Sequence, residues 1–415
     1  MNEQSPGRGN QLTAGGRAIG TGPQWLARAF AGPVQLILDR IDASLPRGSI
    51  QAALPDGTTR LLGGKAAGFD AVVDLRSYRA LLRLATSGSV GWYQAWMAGE
   101  WDSPDPVPLF ALFMENAVAL GDTARSHGPW RWLARAVHWL RRNTRSGSRR
   151  NIHAHYDLGN DFYAAWLDPT MSYSSACFES ENESLKVAQY RKIEAIASRL
   201  EGAKDVLEIG CGWGSLASAL AGQGGHVTAI SLSEEQLCWA RERHGYTGVE
   251  FRKQDYRDVE GQFDGIASVE MVEAVGRKYW PEFFDSIARN LKPGGRAAIQ
   301  YISIHEDIFA SYARDADFIQ TYIFPGGMLV NEAEFRKLAA ERGLAWQDRE
   351  GFGLDYARTL KLWREAFDQA VAEGRLPSGF DSRFEQLWRF YLMYCEGGFR
   401  SGGIDVAQVT LINQA

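Results

Sequence analysis

Cysteine is scarce in this 415-residue chain: Cys177, Cys211, Cys238 and Cys395 stand far apart, with no CxxC pair. That excludes a disulfide framework and a cysteine-built zinc module, and it fits a reducing, cytoplasmic setting. Positive charge is not in excess either. A net charge of −5 argues against a nucleic-acid partner, because phosphate binding needs a basic surface. Apolar runs of about 18 residues or more are missing, so no membrane-spanning helix is expected. The opening MNEQSPGRGNQLTAGGRAIG lacks the apolar stretch of a secretory signal, and 1–22 are expected to be a disordered lead-in. No internal repeat or low-complexity tract occurs.

What is present is globular material: 45% apolar, 23% charged and 12% aromatic residues, over a length that suggests two or three domains. A small α+β domain is expected over 23–128. Leu26, Phe30, Val34, Ile37, Leu38 and Ile41 recur at helical spacing. From Ile50 to Leu62 the pattern alternates around Pro55-Asp56-Gly57, the signature of a hairpin, and Ala71–Leu75 reads as a further strand. Helical patterns follow around Tyr78–Leu84 and Gly91–Met97. Between Pro129 and Arg150 the composition shifts to PWRWLARAVHWLRRNTRSGSRR, with seven arginines beside Trp130, Leu133, Val137 and Leu140. Two readings stay open for 129–150: a solvated basic linker, or an interfacial helix suited to an anionic membrane. Each basic side chain at such a surface contributes on the order of 1 kcal/mol.

From Asn151 to the end at 415 the grammar becomes strand, glycine turn, helix, strand, which predicts a doubly wound α/β domain. The expected strands are Val206–Gly210, His226–Ser231, Val249–Gln254, Phe263–Val269 and Arg296–Ile304. VLEIGCGWGS puts Gly210, Gly212 and Gly214, with Cys211 between them, directly after a strand and before a helical stretch. Such glycines let a ligand approach the backbone, and the helix start offers free N–H groups. The spacing is GxGxG rather than the GxGxxG of dinucleotide sites, with Glu208 two residues ahead. That form resembles the first motif of class I S-adenosylmethionine (SAM) methyltransferases; a site for another nucleotide is the alternative reading of the loop alone.

Other candidates follow from placement. The second strand ends in ISLSEEQ, where Gln236 or the neighbouring Ser231 hydroxyl is suited to a ribose. In QDYRD, Tyr256 and Arg257 are placed to flank an adenine, Tyr256 being equally readable as a core aromatic. Glu273 lies just past the fourth strand, at the carboxyl edge where open α/β sheets bind ligands. A surface charge is the plainer reading. His153 and His155 lack a third ligand, so no metal site is expected.

The segments HYDLGNDFYAAWLDPTMSYSSACFE, VLEIGCGWGS, ISLSEEQ, EMVEAVG, DFIQTYIFPGG, GLDYARTL and WRFYLMYCEGGFRSGGIDVAQV together resemble the cyclopropane fatty acid synthases and mycolic acid methyltransferases. The similarity runs from about 151 to 413, and the N-terminal part resembles the small lipid-engaging domain of the bacterial synthases. The resemblance implies a class I methyltransferase sheet and SAM contacts at Tyr173, Ser174, Gly210–Gly214, Gln236, Tyr256 and Arg257. It also implies a bicarbonate ion as general base, at Ser175, Glu273, Gln300, Ile302 and Tyr356. Ser175 stands where the bacterial pattern has Cys, Gln300 where it has His, and Ala274 where a His often follows the Glu. Plant synthases are similar here. Gln300 can donate a hydrogen bond but never carry a positive charge.

The chemistry so implied is attack of an alkene on a sulfonium methyl in a dry site, with Tyr322, Phe324 and Tyr356 as candidate aromatic walls. Proton loss from the transferred carbon closes a cyclopropane; loss elsewhere gives a methyl-branched or methylene chain. The expected partner is an unsaturated phospholipid at the inner membrane face, with a homodimer possible in principle. The competing classes are an inactive lipid-binding protein and a nicotinamide oxidoreductase.

Overall fold

The computed structural model describes residues 31–121, 158–314 and 316–415. The lead-in, the first turns of the helix expected from Trp25, the basic 129–150 segment and His153 with His155 lie outside them. Two compact units emerge, and they are not contiguous in sequence: Asp307–Pro325 and Gly379–Gly403 group with the N-terminal unit rather than with the catalytic one. The uninterrupted 151–415 domain read from the sequence is corrected accordingly.

In the first unit, β1 (Ser49–Ala53) and β2 (Thr59–Gly63) form the expected antiparallel hairpin. Its turn is closed by Asp56, whose side chain accepts from Thr58 N at 3.0 Å. β3 (Asp70–Leu75) adds in parallel to β1, and β4 (Trp101–Asp102) pairs antiparallel with β3. The two helical patterns expected near 78–97 are both present: Arg79–Met97 consists of two helical segments that meet at a kink at Gly88, whose backbone is not helical. The helix Ser382–Arg400 belongs here because its aromatic face is spent on this unit. Phe390 meets Phe110 at 5.1 Å and Tyr93 at 5.1 Å between ring centroids. A Cβ on Gly397 would fall 2.5 Å from Phe110 Cβ, so only glycine permits so close an approach. Residues Ile319–Ile323 form a π-helix, a rare form that needs packing to hold it. Phe318 at its start packs tilted against Tyr93 and edge-on against Phe390, each at 4.8 Å.

The second unit carries a seven-stranded sheet. It is built from β5 (Asp205–Ile209), β6 (His226–Ser231), β7 (Glu250–Lys253), β8 (Phe263–Val269), β9 (Leu291–Ile304), β10 (Leu344–Gly351) and β11 (Ile404–Asn413), in the order β10-β11-β9-β8-β5-β6-β7. All neighbours are parallel except those of β11, which runs against both β9 and β10. Strands buried on both faces read as apolar runs, as in Val206-Leu207 and Ile266-Ala267. Lys292–Gly295 form a bulge in β9: Phe263 pairs with Leu291 but Gly265 with Arg296. Strand order reverses between β5 and β8. At that switch point the carboxyl ends of neighbouring strands diverge, which opens a crevice for a ligand.

Candidate active site

A cavity of about 200 Å³ occupies that crevice. Its wall includes all ten residues expected to hold the cofactor: Tyr173, Ser174, Gly210, Cys211, Gly212, Gly214, Ser231, Gln236, Tyr256 and Arg257. The glycine turn is pinned by backbone: Gly210 N and Cys211 N both donate to Ile230 O, at 2.9 and 3.0 Å. Gly214, at φ +90°, opens the helix Ser215–Gly222. A Cβ there would lie 3.0 Å from both Ala240 Cβ and the Phe251 ring. Gly212 is different. Its φ is +52°, and a Cβ would meet nothing within 4 Å, so the missing side chain leaves open space at the loop's tip.

The segment before the first strand locks onto this loop. Trp213 Nε1 donates to Asn160 Oδ1 at 2.8 Å, and Ser215 Oγ donates to Thr170 O at 2.6 Å. Asn160 Nδ2 in turn donates to Glu235 O. Past β6, Ser233 caps the helix Glu234–His244 by accepting from Gln236 N. Ser231 Oγ donates to Gln236 Oε1 at 3.3 Å, so the two residues read as alternative ribose contacts are coupled to each other. Arg257 lines the cavity, but its guanidinium is held by Asp255 through two bonds of 2.8 and 2.6 Å. The sequence reading missed Asp255, although the Asp-Tyr-Arg spacing signals such a pair. Tyr256 packs edge-on against Phe283 at 5.8 Å, which supports its core reading as well as its place on the wall.

Two charged groups complete the wall. Glu208 is buried, its Oε2 has no hydrogen-bond partner, and burial pushes its pKa up to about 8. Lys192 is also buried and donates to Ser174 Oγ at 2.8 Å. Burial pushes its pKa down, while Glu270, Cys177, Asp168 and Glu208 oppose that shift. The sequence reading missed Lys192; its signal is a lysine on the apolar face shared by Ala188, Ile193 and Ile196. An open glycine tip, an orphaned carboxylate oxygen and flanking hydroxyls suit an aminoacyl nucleoside with cationic groups, and SAM is one.

The acid–base cluster is where the structure corrects the sequence. Glu273 was expected at its centre. The centre is Glu270, three residues earlier. Glu270 Oε1 accepts from Ser175 N at 2.9 Å and Gln300 Nε2 at 2.7 Å, while Oε2 accepts from Tyr356 Oη at 2.6 Å. Gln300 is oriented from behind, because Gln408 Nε2 donates to its Oε1 at 3.0 Å across the β9–β11 pairing. Ser175 acts through its backbone, its hydroxyl being turned to Ala176 O. Glu273 takes the remaining donor, Ile302 N, and its Oε2 is shut from solvent without a partner. Burial first, then the charge of Glu270, raises the Glu273 pKa to about 8. Burial also raises Glu270, against the pull of Tyr356, Ser175 and Gln300. The donors expected to surround bicarbonate are thus already engaged by protein carboxylates, and these residues do not fit a free ion as the resident group.

Glu270 follows the last residue of β8, lines the cofactor cavity and holds a left-handed backbone at φ +47°. A non-glycine residue there is strained by roughly 1–3 kcal/mol, tolerated where the surroundings over-determine it. Tyr322 and Phe324, candidates for the aromatic wall, belong to the other unit, where Tyr322 packs on Tyr93 at 4.8 Å and Phe324 on Tyr391 at 6.2 Å. Among the described residues, no cluster of three or more His, Cys, Asp or Glu side chains is arranged to hold a metal. All four cysteines are free, and no described helix is long and apolar enough to cross a membrane.

The sheet order, the glycine turn and the cavity at the switch point define a class I SAM-dependent methyltransferase. More narrowly, the chain belongs to the mycolic acid cyclopropane synthetase family, whose sequence profile matches residues 143–409. It is 38% identical over 357 residues to a tuberculostearic acid methyltransferase of Mycobacterium tuberculosis, covering 80% of this chain and 81% of that one. It is 34% identical over 340 residues to the cyclopropane-fatty-acyl-phospholipid synthase of Escherichia coli, covering 79% and 84%. A crystal structure of a mycolic acid cyclopropane synthase complexed with SAH and CTAB matches with a TM-score of 0.59 at 28% identity. That match covers 64% of this chain and 98% of that one.

Proposed function

We propose that this enzyme adds the methyl-derived carbon of SAM to the double bond of an unsaturated phospholipid acyl chain at a membrane surface, and that the product is a cyclopropane. SAM, when bound, supplies an electrophilic methyl on a sulfonium. The chain's own residues do the rest. Lys192, Ser174 and the glycine turn shape the cofactor end of the cavity, while Tyr173 and Trp213 shield it, the Tyr163 ring packing tilted against both at 5.4 and 5.1 Å. The observation that carries the reading is that Glu270, which accepts from Tyr356 and Gln300, lines the same cavity as the cofactor motifs. A proton acceptor next to the transferred carbon favours taking the proton from that carbon, and this closes the ring.

A second reading has its own support. The 38% relative is named a tuberculostearic acid methyltransferase, and loss of a proton from the chain instead of the transferred carbon gives a methyl-branched or methylene alkene, which only a separate reductant would saturate. The test is to supply monounsaturated phospholipid vesicles and labelled SAM to the purified protein and identify the labelled product. The ring and the branched alkene have the same mass, so NMR decides: upfield cyclopropane protons mark the ring, and a retained double bond marks the branched chain. Absence of label in lipid removes both readings.

A further inference from the structure

We infer that Glu270 is the built-in proton acceptor of the reaction, so that this enzyme needs no bicarbonate or other free anion; the inference rests on the methyl-transfer reading above. Three independent donors, from the loop after Tyr173, from β9 and from the helix Gly353–Ala372, converge on one carboxylate. Each comes from a different element. A carboxylate that served only to tie these elements together would not have to border the ligand cavity, yet Glu270 does. Its φ of +47° is a cost at a strand end where extended backbone was available. The neighbouring Glu273 has one backbone donor and an orphaned oxygen. With less to stabilise charge, it holds the proton while Glu270 holds the negative charge, as expected when two carboxylates share a low-dielectric site.

The balance of the step is simple. The π pair of the alkene makes the new carbon–carbon bond as the carbon–sulfur bond breaks, and the neutral thioether leaves with the sulfonium's positive charge cancelled. One hydrogen of the added carbon passes to the Glu270 carboxylate as a proton. The electron pair of that carbon–hydrogen bond closes the third side of the ring and quenches the cation. Glu270 ends as a carboxylic acid, and release of its proton to water resets the site.

Two measurements on the full-length protein test this. The first compares methyl transfer into vesicles in carbon-dioxide-free buffer with the same assay after added bicarbonate, alongside a titration of wild-type protein with ¹³C-bicarbonate followed by NMR. Equal rates and no saturable bicarbonate binding are expected; stimulation by bicarbonate, or saturable binding blocked by substrate, overturns the proposal. The second uses Glu270→Gln, which keeps the shape and loses the base. Turnover is expected to fall roughly 10²–10⁴-fold, the usual contribution of a positioned base, with SAM affinity retained as proof of folding. A variant that binds SAM and turns over at the wild-type rate overturns it. Should wild-type protein move no label into any lipid, the methyl-transfer reading has failed, and the bicarbonate titration still decides on this site.

Discussion

Tyr356→Phe is the most informative perturbation of the cluster, since it deletes one oxygen and leaves the ring edge-on to Trp363. The lost contact is a 2.6 Å hydrogen bond from a phenol to the Glu270 carboxylate. Hydrogen bonds to charged groups contribute about 1.5–3 kcal/mol. Because Glu270 borders the cavity and is not sealed, the lower end applies, roughly a tenfold change in equilibrium. The sign is fixed by which form the phenol stabilises. Tyr356 donates, so it favours the ionised carboxylate; without it Glu270 holds its proton to higher pH, and the active basic form appears later on the pH axis. The acid limb of the kcat/KM profile for methyl transfer therefore moves to higher pH in Tyr356→Phe, with a loss of about tenfold on that limb that narrows as pH rises. SAM affinity, measured by calorimetry, stays near wild type. An acid limb that does not move, with activity reduced equally at every pH, would show that Tyr356 acts on something other than the ionisation of Glu270.

Three further outcomes follow from the same geometry. Gln300→Leu removes one donor from Glu270 and leaves buried Gln408 Nε2 only its long 3.4 Å bond to Lys192 O; loss of stability of about 1–3 kcal/mol is expected from the poorly satisfied group, read by chemical denaturation, together with slower turnover. Gly214→Ala forces a left-handed φ on alanine and a Cβ into the Phe251 ring, so a cost of about 1–3 kcal/mol and weaker SAM binding are expected; an unchanged melting temperature would contradict the packing. For Glu273, the folded-state pKa of about 8 lies above its ordinary 4.5, so between those values the folded protein binds more protons than the unfolded one. Its contribution to stability is therefore present at low pH and declines as pH rises through that window. Glu273→Gln should flatten the slope of unfolding free energy between pH 5 and 8, and a variant with the wild-type slope counts against a buried, protonated Glu273.

Local pattern was enough for much of this protein. The alternation around Pro55–Gly57, the apolar runs of β5, β6 and β8, and the glycines following Ile209 each report a short-range constraint: a turn, a doubly covered strand, a backbone conformation no other residue adopts at ease. Eight of the ten expected cofactor residues line one cavity because their motifs sit at strand ends, which a parallel sheet gathers at one edge; Tyr173 and Ser174 reach the same cavity from the segment before β5. Gly88 reports another short-range constraint, since its non-helical backbone separates the two helical segments that the pattern showed as two.

What the sequence by itself determined, then, is five of the seven strands of the sheet, the cofactor turn and the ten expected residues that line its cavity. Tertiary structure decided which carboxylate stands at the centre and which unit each late segment joins. Glu270 and Glu273 are both acidic residues just past the same strand, and sequence gives no measure of direction. The left-handed turn at Glu270 aims its side chain at Ser175, Gln300 and Tyr356, contacts made across gaps of 30 to 95 residues. The helix Ser382–Arg400 likewise shows an apolar face without saying what it will cover; the small Gly397 against Phe110 settles that only once the chain has folded.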